Sequence, residues 1–126
     1  MQSKIPRTVV IADDELYVRV VIRSILQSLQ LNVIGEAADG EEALRVFRDK
    51  KPDLLLLDVN MPLKTGEDTL RTILAECPEA RVIMFSSVAD RDSVERCLEL
   101  GARHYIRKDC PPDEMRRIIT EVLEEG

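Results

Sequence analysis

The chain has 126 residues, 44% hydrophobic and 33% charged, the size and balance of one folded domain. A net charge of −6 and a content of two Tyr, two Phe and no Trp argue against direct nucleic-acid binding, since phosphates would be repelled and bases would find little to stack on. No apolar run approaches the ~20 residues that span a bilayer, and the opening MQSKIPR lacks the apolar stretch of a signal peptide. The expectation is a single domain over residues 1–126, cytoplasmic and without membrane contact.

In chain order, the first strand is read at Thr8–Ala12, a nearly continuous apolar run that ends at Asp13 and Asp14. Val18, Ile22, Ile25, Leu26 and Leu29 then recur with helical period. A second strand is read at Asn32–Glu36. Asp39 follows as a helix cap with Glu42 as its reciprocal partner, and Ala43, Leu44 and Phe47 mark that helix. The third strand, Asp53–Leu57, runs into Asp58. Thr65 or Gly66 opens the next helix, marked by Leu70, Ile73 and Leu74. The fourth strand, Arg81–Phe85, runs into Ser86. Asp90 is read as the cap of a helix marked by Val94, Cys97 and Leu98, with Gly101 at its end. The last strand, His104–Arg107, runs into Lys108. Pro111 and Pro112 open a final helix carrying Met115, Ile118, Ile119, Val122 and Leu123.

Five strand–helix pairs predict an α/β fold with a parallel sheet and right-handed crossovers. The first, third and fourth strands are the most continuously apolar, which suits strands covered on both faces. They therefore take the centre, the second and fifth become edges, and the predicted order is 2-1-3-4-5. Cys77, Cys97 and Cys110 form no CxxC, and with a single His a zinc site is not expected. They are read as reduced thiols that fill space.

Parallel strands place their carboxyl ends along one sheet edge, where open α/β sheets bind ligands. Asp13, Asp14, Asp58, Ser86 and Lys108 would share that edge. Two carboxylates ~4 Å apart repel by about 4 kcal/mol at an effective dielectric of ~20, and a proton or a cation relieves the repulsion. All-oxygen ligation with room for waters favours Mg2+.

Asp13–Asp14, the segment DVNMPLKTG at 58–66, Ser86 and Lys108 together resemble the receiver domain of two-component response regulators, over essentially the whole chain. The resemblance implies a flavodoxin-like, doubly wound (βα)5 fold with the same strand order. It implies that Asp58 accepts a phosphoryl group from a histidine kinase or a histidine phosphotransfer protein. Asp14 and Asp58 would bind Mg2+ directly, with the carbonyl of Asn60, and Asp13 would join through water or in the shell. Lys108 would pair with Asp58 and then with the phosphoryl group, to which Ser86 would donate a hydrogen bond. Ser86 and Tyr105 would form the switch. The output surface would be the fourth helix, fifth strand and fifth helix, meeting a target protein or a second copy. Asn60 and Val88 would flank the path of the water that ends the phosphorylated state.

Two departures stand out. Asp109 follows Lys108 where many receivers have Pro, and Ser87 stands where Ala is common and is expected to narrow the entrance. A stand-alone receiver and a receiver of a longer transcriptional regulator both stay open. The competing enzyme reading is a Mg2+-dependent phosphohydrolase working through an aspartyl phosphate. That class wants a second Asp where this chain has Asn60, so the expectation is a signalling domain and not an enzyme. A flavodoxin would need a phosphate-cradling loop after the first strand, where acids stand instead.

Overall fold

The computed structural model describes residues 7–125. In chain order it contains β1 (Thr8–Ala12), α1 (Leu16–Ser28), β2 (Asn32–Ala37), α2 (Gly40–Lys50), β3 (Leu54–Asp58), α3 (Gly66–Glu76), β4 (Val82–Ser86), α4 (Arg91–Leu100), β5 (His104–Arg107) and α5 (Pro112–Glu124). A 3₁₀ turn at Val88–Asp90 joins β4 to α4. The five strands form one parallel sheet in the order β2-β1-β3-β4-β5, as expected.

The apolar continuity of the central strands is explained by a core on each face. Val10, Leu55, Leu57, Val82 and Met84 meet α2, α3 and α4 through Leu44, Phe47, Leu70, Ile73, Val94 and Cys97. Val9, Ile11, Leu54, Leu56, Ile83 and Phe85 meet α1 and α5 through Leu26, Ile118, Ile119 and Val122. Successive residues of a strand point to opposite faces, so both positions of the alternation must be apolar. All four leucines of β3 are fully buried, each stabilising the fold by roughly 1.5–3 kcal/mol.

Three strand ends differ from the sequence reading. β3 and β4 each sit one residue later, so Asp58 and Ser86 are the last residues of their strands. The ladder reaches Asp58 because it pairs with Phe85, and Val59 N–H still donates to the Phe85 carbonyl. β2 extends to Ala37, with a register shift that skips Ile34 and lets Ala37 pair with Ala12. Apolar pattern marks burial rather than hydrogen bonding, so polar ends of strands escape it.

Helix boundaries follow their caps. Asp39 accepts from Glu42 N–H while the Glu42 carboxylate accepts from Ala38 N–H, and Thr65 accepts from Asp68 N–H. Asp90 departs from expectation. It precedes α4 but makes no side-chain cap there, because its carboxylate points back into the turn after β4. Cys97 is buried, and Cys77 and Cys110 are half-buried free thiols. Among the described residues, no helix is long and apolar enough to cross a membrane.

Candidate functional site

β1 and β3 are neighbours whose crossovers run to opposite faces, so their C-terminal ends border a crevice. Asp13 follows β1 and Asp58 ends β3. Asp13, Asp14 and Asp58 each bring a carboxylate oxygen within 4.8 Å of the others. Asp13 and Asp58 are 1% and 2% exposed, whereas Asp14 faces solvent, so the cluster is a buried pair with one exposed member.

The β3–α3 loop is shaped by backbone contact. Gly66 N–H donates to the Val59 carbonyl, and a Cβ on Gly66 would stand 2.1 Å from the Asp58 carbonyl oxygen. Only glycine lets α3 start against the backbone of Asp58. Met61 is buried in the core, which anchors the loop from within. Leu63 holds a left-handed φ of 68° and is 82% exposed.

Lys108 follows β5 and reaches across the β4 end into the cluster. Its Nζ lies 3.2 Å from Asp58 Oδ2, 3.0 Å from Asp13 Oδ2 and 3.5 Å from Glu15 Oε1. The contact with Asp58 is a hydrogen bond; that with Asp13 is an ion pair off hydrogen-bond alignment. Asp58 Oδ1 accepts from Asn60 N–H at 3.2 Å, and Asp13 Oδ1 accepts from Glu15 N–H at 2.9 Å. Burial disfavours the Lys108 ammonium, but the Asp13 and Asp58 carboxylates outweigh it and raise its pKa. Burial is also the main influence on Asp58, with the Asp13 charge behind it. Together they push its carboxyl up to about 7 against the pull of Lys108 and of Asn60 N–H.

One ammonium therefore does not neutralise this cluster. At 4.8 Å, two carboxylates repel by about 3 kcal/mol for an effective dielectric of ~20. Asp13 Oδ2 is buried and has no hydrogen-bond donor. A divalent cation with oxygen ligands fits such a set: every ligand atom is a hard oxygen, and Asp13 Oδ2 has only its ion pair with Lys108 to offset its charge.

Ser86 is buried at the end of β4. It shares a groove of about 490 Å³ with Val88, Arg91, Leu98 and Tyr105, between the start of α4 and β5. Tyr105 lies in that groove with 39% of its surface exposed. Val88 is 69% exposed. Ser87 also lines this groove, with its hydroxyl donating to Asp90 Oδ2 at 3.0 Å.

Glu15 and Asp90 are contacts that sequence reasoning missed. Glu15 directly follows the acidic pair, which was a usable signal. Asp90 stands three residues after Ser87, the spacing of a reciprocal cap, and the structure forms that box.

A family model described as the response regulator receiver domain matches residues 9–120. The chain is 36% identical over 115 residues to Protein CcdB of Bacillus subtilis (strain 168), covering 91% of this chain and 96% of that one. It is 38% identical over 108 residues to the uncharacterized transcriptional regulatory protein YhcZ of the same organism, covering 85% of this chain and 50% of that longer one. Among solved structures, the CheX–CheY–BeF3–Mg2+ complex from Borrelia burgdorferi superposes with a TM-score of 0.90 at 32% identity, covering 96% of this chain and 92% of that one. Sheet order, acidic crevice and relatives agree, and the chain belongs to the response regulator receiver domain family, the phosphorylation-activated switches of two-component signalling.

Proposed function

We propose that Asp58 is the phosphoacceptor of this switch. The observation that carries the reading is the convergence of the Asp13, Asp14 and Asp58 carboxylates with the Lys108 ammonium at the C-terminal sheet edge. An Asp58 oxygen bonds to phosphorus, the bond from phosphorus to the donor nitrogen breaks, and the imidazole of a histidine kinase or phosphotransfer protein keeps the electron pair. Lys108 is already hydrogen-bonded to Asp58 and supplies countercharge to the incoming phosphoryl oxygens. Asp13, Asp14 and Asp58, with the Asn60 carbonyl, would hold Mg2+, which when bound adds positive charge beside the phosphoryl group.

Ser86 and Tyr105 are the proposed switch pair. Ser86 donates to the phosphoryl group, and Tyr105 turns into the groove that it shares with Ser86. The surface of α4, β5 and α5 then changes for a target protein or a second copy of the chain. Asn60 and Val88 tune the lifetime of the phosphorylated state from opposite loops. The domain acts by accepting and losing a phosphoryl group and turns over no external substrate. It binds neither nucleic acid nor membrane directly and works in the cytoplasm.

The test is incubation with a small acyl phosphate and Mg2+ followed by intact-mass measurement. One added phosphoryl group is expected, absent with EDTA and absent in Asp58→Asn. Labelling that survives in Asp58→Asn would move the acceptor elsewhere.

A further inference from the structure

Asp90 occupies a helix-cap position without capping the helix. Its Oδ1 accepts from Asn60 Nδ2 at 2.6 Å. Its Oδ2 accepts from Ser87 N–H at 2.8 Å and from Ser87 Oγ at 3.0 Å. Burial works against this carboxylate, and the Ser87 and Asn60 donors overcome it and lower its pKa. One nearly buried carboxylate thus ties the loop leaving Asp58 to the turn leaving Ser86. Hydrogen bonds to a charged acceptor are the strong ones, so the tie is firm.

Asn60 is held at two points. Its backbone N–H donates to Asp58 Oδ1, while its side chain is drawn to Asp90. A carboxamide two residues from the acceptor is short, polar and able both to donate to and to accept from a water. Tied to Asp90, its donor is committed to the turn that follows β4.

We propose that Asp90 is a positioning residue that holds the Asn60 carboxamide off Asp58 and so lengthens the life of the phosphorylated state. The inference rests on Asp58 being the phosphoacceptor. In the reaction that ends that state, a water oxygen bonds to phosphorus and the bond from phosphorus to the Asp58 oxygen breaks. The carboxylate recovers its electron pair, and the water's proton leaves with inorganic phosphate or to solvent. A released Asn60 carboxamide can hold that water; a tied one cannot turn to it. The Ser87 backbone N–H holds Asp90 Oδ2, so the tie through Oδ1 does not depend on the Ser87 hydroxyl.

The experiment has two arms. In the free protein, without Mg2+ or phosphodonor, the Asn60 side-chain amide protons should be shifted and slow to exchange in NMR spectra, and Asp90→Ala should return them to ordinary values. After labelling with a small acyl phosphate, Asp90→Ala should lose its phosphoryl group roughly three- to tenfold faster than the parent, part of what a hydrogen bond to a charged group is worth. In an Asn60→Ala background, Asp90→Ala should change the decay no further. Ser87→Ala keeps the bond from Asn60 to Asp90 and loosens only the turn, so its decay should stay near that of the parent. An undiminished Asp90→Ala effect in the Asn60→Ala background, or a Ser87→Ala decay as fast as that of Asp90→Ala, overturns the proposal in favour of simple loosening of the turn. If Asp58 is labelled but the Asn60 amide protons are ordinary, only this proposal falls. If Asp58 takes no phosphoryl group, the reading beneath it falls as well.

Discussion

Strand β3 is bracketed by two aspartates, and the fold treats them in opposite ways. Asp53 precedes the four leucines and accepts from Thr8 N–H at 2.8 Å and Thr8 Oγ1 at 3.1 Å, while its own N–H donates to that hydroxyl at 2.9 Å. Asp58 ends the same strand and faces another carboxylate, with one backbone donor and a share in one lysine. The first carboxylate locks β1 to β3 at the quiet edge of the sheet. The second is held in a field that its surroundings do not balance, and that imbalance is available to a cation or a phosphoryl group. Residue type alone does not separate structure from function here: each carboxylate accepts two hydrogen bonds, and what sets Asp58 apart is its burial beside the Asp13 carboxylate.

The largest expected effect tests that contrast directly. Asp53→Ala removes hydrogen bonds to a charged group and should lower stability by about 2 kcal/mol while leaving phosphorylation intact. Asp58→Asn removes a charge that burial and Asp13 oppose, and should raise stability at pH 8 by roughly 1–3 kcal/mol while abolishing phosphorylation. Chemical denaturation measures both. Equal losses of stability at the two positions would erase the distinction.

The next effect is its pH dependence. The folded state raises the Asp58 pKa from 3.8 to about 7, so between those values the native protein holds a proton that the unfolded chain has released. Its contribution is complete below the ordinary carboxylate range and is lost as pH rises through about 7. Glu36 and Asp90 have lowered pKa values, so their contributions fade only as pH falls through the acid range. Without Mg2+, the melting temperature should therefore decline from pH 5 to pH 8, and Asp58→Asn should flatten that decline. An identical slope in the variant would assign the titration elsewhere.

Much of this was legible in the sequence because parallel strands put their ends together. Four polar markers after four apolar runs were enough to assemble Asp13, Asp58, Ser86 and Lys108 at one edge. Side-chain direction was not legible. An aspartate ahead of a helical pattern reads as a cap, yet Asp90 turns back to Ser87 and Asn60, whose three donors take up both of its carboxylate oxygens. The contact of Lys108 with Glu15 joins residues 93 apart in sequence and depends on two long side chains meeting at the rim of the site. The shift in β2 also lay out of reach, since an apolar run shows which residues are buried and not where a ladder skips one.

A smaller effect concerns Mg2+. A ligand that binds only the folded state stabilises it by mass action, so millimolar Mg2+ should raise the melting temperature by a few degrees. Asp14 is exposed and supplies the outermost carboxylate of the cluster. Asp14→Ala should remove most of that rise with little change in baseline stability, whereas Asp53→Ala should keep it. A full Mg2+ response in Asp14→Ala would place the cation on other oxygens.

The smallest effect comes from the loop after β4, where a substitution should change chemistry and leave stability alone. Val88 is 69% exposed and makes no side-chain hydrogen bond, so replacing it leaves no hole in the core. An apolar side chain there cannot orient a water, whereas a carboxylate can accept its hydrogen bond and favour attack on phosphorus. Phosphorylated Val88→Glu should therefore decay several-fold faster than the parent, with a melting temperature unchanged to within about a degree, as for other exposed substitutions. The two readouts must be taken together. A faster decay with a lower melting temperature would mean that the turn has loosened, and the contrast with Asp53 would blur. A slower decay would show that the added charge repels the anionic phosphoryl environment more than it helps the water, and the assignment of Val88 to lifetime control would have the wrong sign.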